Sequence, residues 1–339
     1  MKARLFVLFA AVTVAATSAG AQDRTRCPDG GFVSPGVPNA TKATQDACQK
    51  AIDLFAYMAP QLGASITGGN ATLGMAGSLG GLGHFSVGLR VNAVQGSIPQ
   101  VQAVTPSVNG VQQSQYDTKT QILPMPTADL AIGVFKGLPL AITNVGGVDL
   151  LVSASYLPEF NNSNVSVKVP SGSLKFGYGA RVGILQESLL VPGVSVSYLH
   201  RELPTVNIAA ASNNDSLYVN NLSLKSNAWR VVASKSLLLF GLAAGFGQDK
   251  YDASTEIRAH VAARTVPPTS AANAGPVSLS QNLTRTNVFA DLSMNLLLFK
   301  LTGEIGQVSG GTINTYNTFN GKQAADSRIY GSVGARFGF

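Results

Sequence analysis

From about residue 61 to its end the chain alternates, residue by residue, between apolar side chains and polar side chains or glycines. In HFSVGLRVNAV (84–94), Phe85, Val87, Leu89, Val91 and Ala93 share one face, and Ser86, Gly88, Arg90 and Asn92 share the other. SLKFGYGARVGI (173–184) sets Leu174, Phe176, Tyr178, Ala180, Val182 and Ile184 against Lys175, Gly177, Gly179, Arg181 and Gly183. A period of two is the signature of strands with two unlike faces. A water-soluble sandwich alternates in the same way, so alternation alone leaves the solvent open.

Composition and connections decide between the two. Charged residues are 12% of the chain, about half the usual share of a soluble domain. The longest apolar run after the N-terminus, LLLFGLAAGFG (237–247), is too short and glycine-rich for a spanning helix. Short links alternate with long polar segments near 98–123, 158–171, 209–217, 259–283 and 314–326, as inner turns and outer loops do in membrane barrels. Aromatics gather near the ends of the apolar faces (Tyr156, Tyr178, Tyr198, Trp229, Phe240, Phe299, Phe337, Phe339), where interfacial girdles belong. The fold expected is an all-β, antiparallel, up-and-down transmembrane β-barrel of about twelve strands, within ten to fourteen. Ten of these strands fall between residues 84 and 339; the two weakest are the Gly-rich 60–68 and 70–80. In strand 218–234, Leu222 and Leu224 alternate out of phase with Trp229, Val231 and Ala233, which predicts a β-bulge near Ser226–Asn227.

The N-terminus differs. Residues 1–21 have a basic start (Lys2, Arg4), an apolar run and Ala19-Gly20-Ala21, the layout of a secretory signal peptide, with Gln22 as the first mature residue. Cys27 and Cys48 are the only cysteines, and in an exported chain they are expected to form a disulfide. TQDACQKAIDLFAYMA (44–59) places Ala47, Ala51, Leu54, Phe55 and Met58 at helical spacing, with Pro60 as its stop. Residues 22–59 are therefore a disulfide-tied segment with one short helix, a plug inside the barrel or a cap on its periplasmic rim, and residues 60–339 are the barrel.

If the apolar face meets lipid, the other faces the lumen. That set holds Arg90, Asp129, Asp149, Lys175, Arg181, Arg230, Asp291, Glu304 and Arg336, five bases and four acids. A lipid-facing Arg or Lys at the midplane costs about 2–4 kcal/mol, so phase and energetics agree. The near balance of sign points to paired charges rather than a strongly selective filter. Gly177, Gly179, Gly183, Gly241, Gly245, Gly247 and Gly334 share the inward phase and leave space for a narrow channel or for another part of the chain.

The ending GSVGARFGF resembles the C-terminal assembly signal of bacterial outer-membrane β-barrel proteins, with Phe339 last and Phe337, Ala335 and Val333 at every second position before it. The resemblance covers about residues 60–339. It implies residence in the cell outer membrane, with lipid and the barrel assembly machinery as partners. GGNATLGMAG (68–77) is similar to the Gly-rich stretch that opens the long-chain fatty-acid transporter-like barrels, which also carry an N-terminal plug. The Asn-Pro-Ala motif expected shortly after it is absent here.

Chemistry is sparse. The histidines are His84, His200 and His260; Ser86 and Ser197 lie near two of them, with no orienting acid at a convincing spacing. No phosphate-loop, zinc or calcium motif appears. The expectation is a monomer without enzymatic activity, metal or cofactor, and with no nucleic-acid partner. Its role is passive or facilitated passage of a small solute. The alternatives are a closed structural or adhesion barrel and a transporter of hydrophobic compounds, which would show an apolar pocket beside the N-terminal segment.

Overall fold

The computed structural model describes residues 38–338, except 102–104, 141, 162–164, 213, 266–267 and 297–298. The expected signal peptide, Cys27 and with it the expected disulfide, and Phe339 lie outside the described residues. Ten strands close a ring: β1 (Phe85–Pro99), β2 (Thr118–Phe135), β3 (Gly147–Tyr156), β4 (Leu174–Leu185), β5 (Gly193–Glu202), β6 (Asp215–Leu237), β7 (Phe240–Val261), β8 (Ala272–Leu296), β9 (Phe299–Ser309) and β10 (Arg328–Gly338). Each pairs antiparallel with its neighbours in sequence, and β10 returns to β1 through Val91↔Val333. Every one of the ten strands thus has a partner on both sides, the condition for a sheet to cross a bilayer. The outward phase of the ring is an apolar belt, with Leu89 68%, Phe176 65%, Ile305 65% and Val333 69% exposed.

Ten strands is the low end of the expected range, because the two N-terminal segments do not join the ring. Residues 60–67 continue the helix α1, which runs Pro38–Thr67. Pro60 does not stop it. A proline removes the bond to the carbonyl four residues earlier, and here the Ala56 carbonyl accepts from Gln281 Nε2 at 3.4 Å instead. Residues 68–84 form tight turns, with Gly69 and Gly74 at φ +89° and +72°, where a side chain would be strained. The boundary expected at residue 59 thus falls inside a helix.

The helix lies within the outer half of the barrel. Ile52, Phe55, Ala59 and Ile66 pack against the inward-facing Leu222, Leu224, Ile257, Val277 and Leu279. This explains the register of β6. No bulge occurs at Ser226–Asn227: pairing with β7 runs unbroken from Ser223 to Leu237, and the irregularity sits between Asn220 and Ser223. Leu222 and Leu224 share the inward face with Ser226 and Arg230 because an apolar helix, not water, occupies that part of the lumen. The long segment expected at 259–283 is mostly strand, since β7 and β8 extend far beyond the ten or so residues that span a bilayer.

Candidate functional site: the filled lumen

Below α1, residues 68–79 thread the inner half of the lumen, and their backbone amides are held by side chains of the wall. Asn70 N donates to Glu304 Oε2 at 2.9 Å, Gly74 N to Asp291 Oδ2 at 3.0 Å, and Ala76 N to Ser234 Oγ at 2.9 Å. Leu79 N donates to Asp149 Oδ1 at 3.1 Å. The carboxylates take the role that partner strands take elsewhere, satisfying amides of an irregular segment shut away from water.

Strand glycines make the room. A β-carbon on Gly147 or Gly183 would lie 2.9 or 3.1 Å from Ser78 Cβ, and one on Gly334 would lie 3.0 Å from Leu73 Cδ2. Gly245 and Gly247 open space for other neighbours, the Phe289 ring and the Trp229 carbonyl of the adjoining strand.

The charges pair across the wall. Arg181 donates to Asp149 Oδ2 from Nε at 2.9 Å and Nη2 at 2.7 Å, and its Nη1 reaches Thr72 Oγ1. Arg90 Nε donates to Asp129 Oδ2 at 2.5 Å and its Nη1 to the Gly68 carbonyl at 2.6 Å. Arg230 Nη1 lies 2.5 Å from Asp249 Oδ1. Asp291 and Glu304 sit opposite each other on β8 and β9, each engaged with the threaded segment.

One of the nine expected lumen charges departs from expectation. Lys175 stands at the outer rim with its side chain 35% exposed, 3.5 Å from Glu202. It lies at a strand end, where phase no longer dictates which side a long side chain reaches. Arg336 turns inward, where its Nη1 lies 3.1 Å from Met75 Sδ. Asp249, Arg201 and Arg285 belong to the interior set and were missed. Their parity with Gly247, Ser197 and Asp291 carried the signal. Ser197 and His200 are on opposite faces of β5, so they do not meet. His200 has an acid that spacing did not suggest, Glu202 Oε1 at 3.2 Å from Nε2, two residues along the same outward face.

At the outer end the loops close over α1. Asp46 accepts from the backbone of Ser107 at 2.6 Å and of Gln112 at 2.9 Å, and pairs with Lys50. Asp53 accepts from the Asn317 backbone at 2.8 Å and from its amide at 2.6 Å. Phe319 stacks between Tyr57 and Tyr116, with centroids 4.0 and 5.4 Å away. Burial pushes the Asp53 carboxyl pKa above its ordinary value, against the pull of the Asn317 bonds. Burial also raises the Tyr116 phenol, with Asp46 and Asp53 adding to the effect. Beside this cap is an apolar cleft of about 80 Å³ between α1 and the wall, lined by Ala47, Ala51, Leu54, Val101, Ala211 and Leu217, with Lys50 and His260 also at the lining.

No protein-family model matches the chain, and no curated protein sequence is similar to it. Solved structures of low similarity exist. The outer membrane protease OmpT from Escherichia coli has a TM-score of 0.36 at 6% identity, covering 76% of this chain and 97% of that one. The transport unit of the autotransporter AIDA-I from Escherichia coli has 0.35 at 8%, covering 88% and 99%. The Pseudomonas putida toluene transporter TodX has 0.31 at 10%, covering 79% and 96%. The expectation of no enzymatic activity is corrected here: a protease stands among these structures, so a barrel of this kind is no ground for excluding catalysis. The finer likeness to fatty-acid transporter-like barrels finds no support at such scores. A closed ring with an exposed apolar belt and a polar, charge-paired inner lumen makes this chain a transmembrane β-barrel.

Proposed function

We propose that this is a plugged outer-membrane barrel that takes up a small, largely apolar compound from the outside, with residues 38–79 as its plug. The observation that carries this reading is the apolar cleft beside α1 at the outer end. A polar solute diffusing freely would need a continuous aqueous path, and both halves of the lumen are occupied. An apolar ligand gains by leaving water for such a cleft. A dry apolar cavity of about 150 Å³ holds benzene, so a cleft of about 80 Å³ holds part of a ligand and must widen, by movement of α1 or its covering loops, to admit more.

The test uses the full-length barrel in lipid nanodiscs and the apolar fluorophore N-phenyl-1-naphthylamine. Saturable binding that is lost in Ala51→Trp, which fills the cleft, is expected; equal binding by both proteins would sink the reading. Deleting residues 38–67 should raise conductance in planar bilayers, because the outer lumen is then empty. The second reading is a closed structural barrel, favoured by the four wall side chains that pin residues 68–79. Absence of any saturable ligand binding, with the barrel stable and assembled, supports that reading instead. Recognition of the final strand by the assembly machinery belongs to the same proposal.

A further inference from the structure

One of the places where neighbouring strands of the ring part is basic. Pairing of β1 with β10 ends at Val94↔Tyr330, whereas β1 continues against β2 to Pro99↔Thr118 and β10 continues against β9 to Val308↔Arg328. The two strands part towards the outer end, and a polar cavity of about 450 Å³ lies at the parting, with Lys322, Arg328, Gln95, Ser97 and Gln307 on its walls. Asp326 is the one acid in this lining, and its Oδ2 already accepts from Gln323 N at 2.9 Å.

Behind this wall sits a second guanidinium. Arg285 is 1% exposed and Arg328 7%. Both hold the turn 323–326 by its carbonyls: Arg285 Nη2 donates to Ala325 at 3.1 Å and Asp326 at 2.7 Å, and Arg328 Nη2 approaches Gln323 at 3.5 Å. Neither arginine takes part in an ion pair among the described residues. Arg285 Nε and Nη1 and Arg328 Nε find no acceptor. This contrasts with Arg90, Arg181 and Arg230, each matched to its own aspartate. Burying guanidinium groups with no carboxylate in direct contact is costly, and an anion bound beside them lowers that cost.

We propose that the cavity where β1 and β10 part binds a phosphate group. Arg328 and Lys322 contact its oxygens, Gln95, Gln307 and Ser97 supply neutral donors, and Arg285 adds positive charge from behind. Guanidinium and ammonium donors together suit a multiply charged oxyanion. The volume falls in the range of small-molecule sites and exceeds bare phosphate, so the phosphate is carried on a larger body. Two sources share that chemistry. One is a phosphorylated solute from the outer medium. The other is a lipid head group, because the cavity also meets the exposed belt at Ile329.

Two arms separate the sources. In detergent, calorimetric titration with inorganic phosphate tests the soluble one. In nanodiscs, thermal unfolding in phosphatidic acid against phosphatidylcholine tests the lipid one. Lys322→Gln, on an exposed turn, should weaken binding about tenfold, as should Arg328→Gln, since each removes one charge-assisted donor. Lys250→Gln, exposed on β7, should bind as the unaltered protein does. If Arg328→Gln fails to fold, Lys322→Gln and Arg328→Lys carry the test. Binding in either arm that falls in these variants supports the site and names the source. Lack of saturable binding in both arms, or equal binding by Lys322→Gln and the unaltered protein, overturns it.

Discussion

Asp149→Ala should be among the most damaging single changes in the barrel wall. Asp149 is fully buried, and its Oδ2 accepts both Nε and Nη2 of Arg181, which is 2% exposed. The same carboxylate accepts the Leu79 amide of the threaded segment. Truncation leaves a buried guanidinium without its counter-ion, at about 3–5 kcal/mol. It also leaves the half-buried Leu79 amide without an acceptor, at about 1 kcal/mol. The two costs overlap where Arg181 or water relaxes into the gap, so about 4 kcal/mol is the expected loss. Removing both charges in Asp149→Ala/Arg181→Met should cost less than Asp149→Ala alone, because no isolated charge remains. Denaturant unfolding in detergent, followed through the single tryptophan, Trp229, at the outer face of β6, reports global stability. Hydrogen exchange at the Leu79 amide reports whether the threaded segment has come loose. A loss under about 1 kcal/mol with unchanged exchange, or a double variant worse than the single, would refute the assignment of this pair as the anchor.

Gly147→Val should displace residues 77–79 from the wall, since even a β-carbon there would lie 2.9 Å from Ser78 Cβ; a cost of about 1–3 kcal/mol with faster exchange at Leu79 is expected, and unchanged exchange would count against the close fit. Phe55→Ala should cost about 3–5 kcal/mol by emptying the contact between α1 and the outer wall, measured by the same unfolding curve. Asp53 has a folded pKa above its unfolded one. Its ionised form therefore disfavours the folded state fully above the folded value, and the penalty fades as pH falls towards the unfolded value of about 3.9. Asp53→Asn should remove that slope, so its melting temperature should gain on the parent's as pH rises from 4 to 8; parallel curves would contradict this.

The ten ring strands were legible because lipid enforces one rule on every outward residue, and Val87 to Val333 obey it around the whole belt. The interior obeys no such single rule. Leu222 and Leu224 broke the expected phase because their neighbour is Phe55 and Ile52 of α1, and a contact between segments about 170 residues apart leaves no mark in local periodicity. Pro60 reads as a stop because a proline costs a helix one backbone bond; the remedy, Gln281, comes from β8. Residues 70–80 looked like a weak strand because Gly and small residues fit any two-residue pattern, while their amides are in fact satisfied by four side chains scattered from 149 to 304. The charge phases of Arg90, Asp129, Asp149, Arg181, Arg230, Asp291 and Glu304 follow from strand parity, and parity also reaches Asp249, Arg201 and Arg285. Which charge meets which was not in the parity. Asp149 meets Arg181 because β3 and β4 place them opposite one another, and Asp291 faces Glu304 for the same reason, a pair of carboxyl groups held beside the amides of Asn70 and Gly74. The barrel wall is thus written locally, strand by strand, whereas the filling of its lumen is written only in the match between wall and plug.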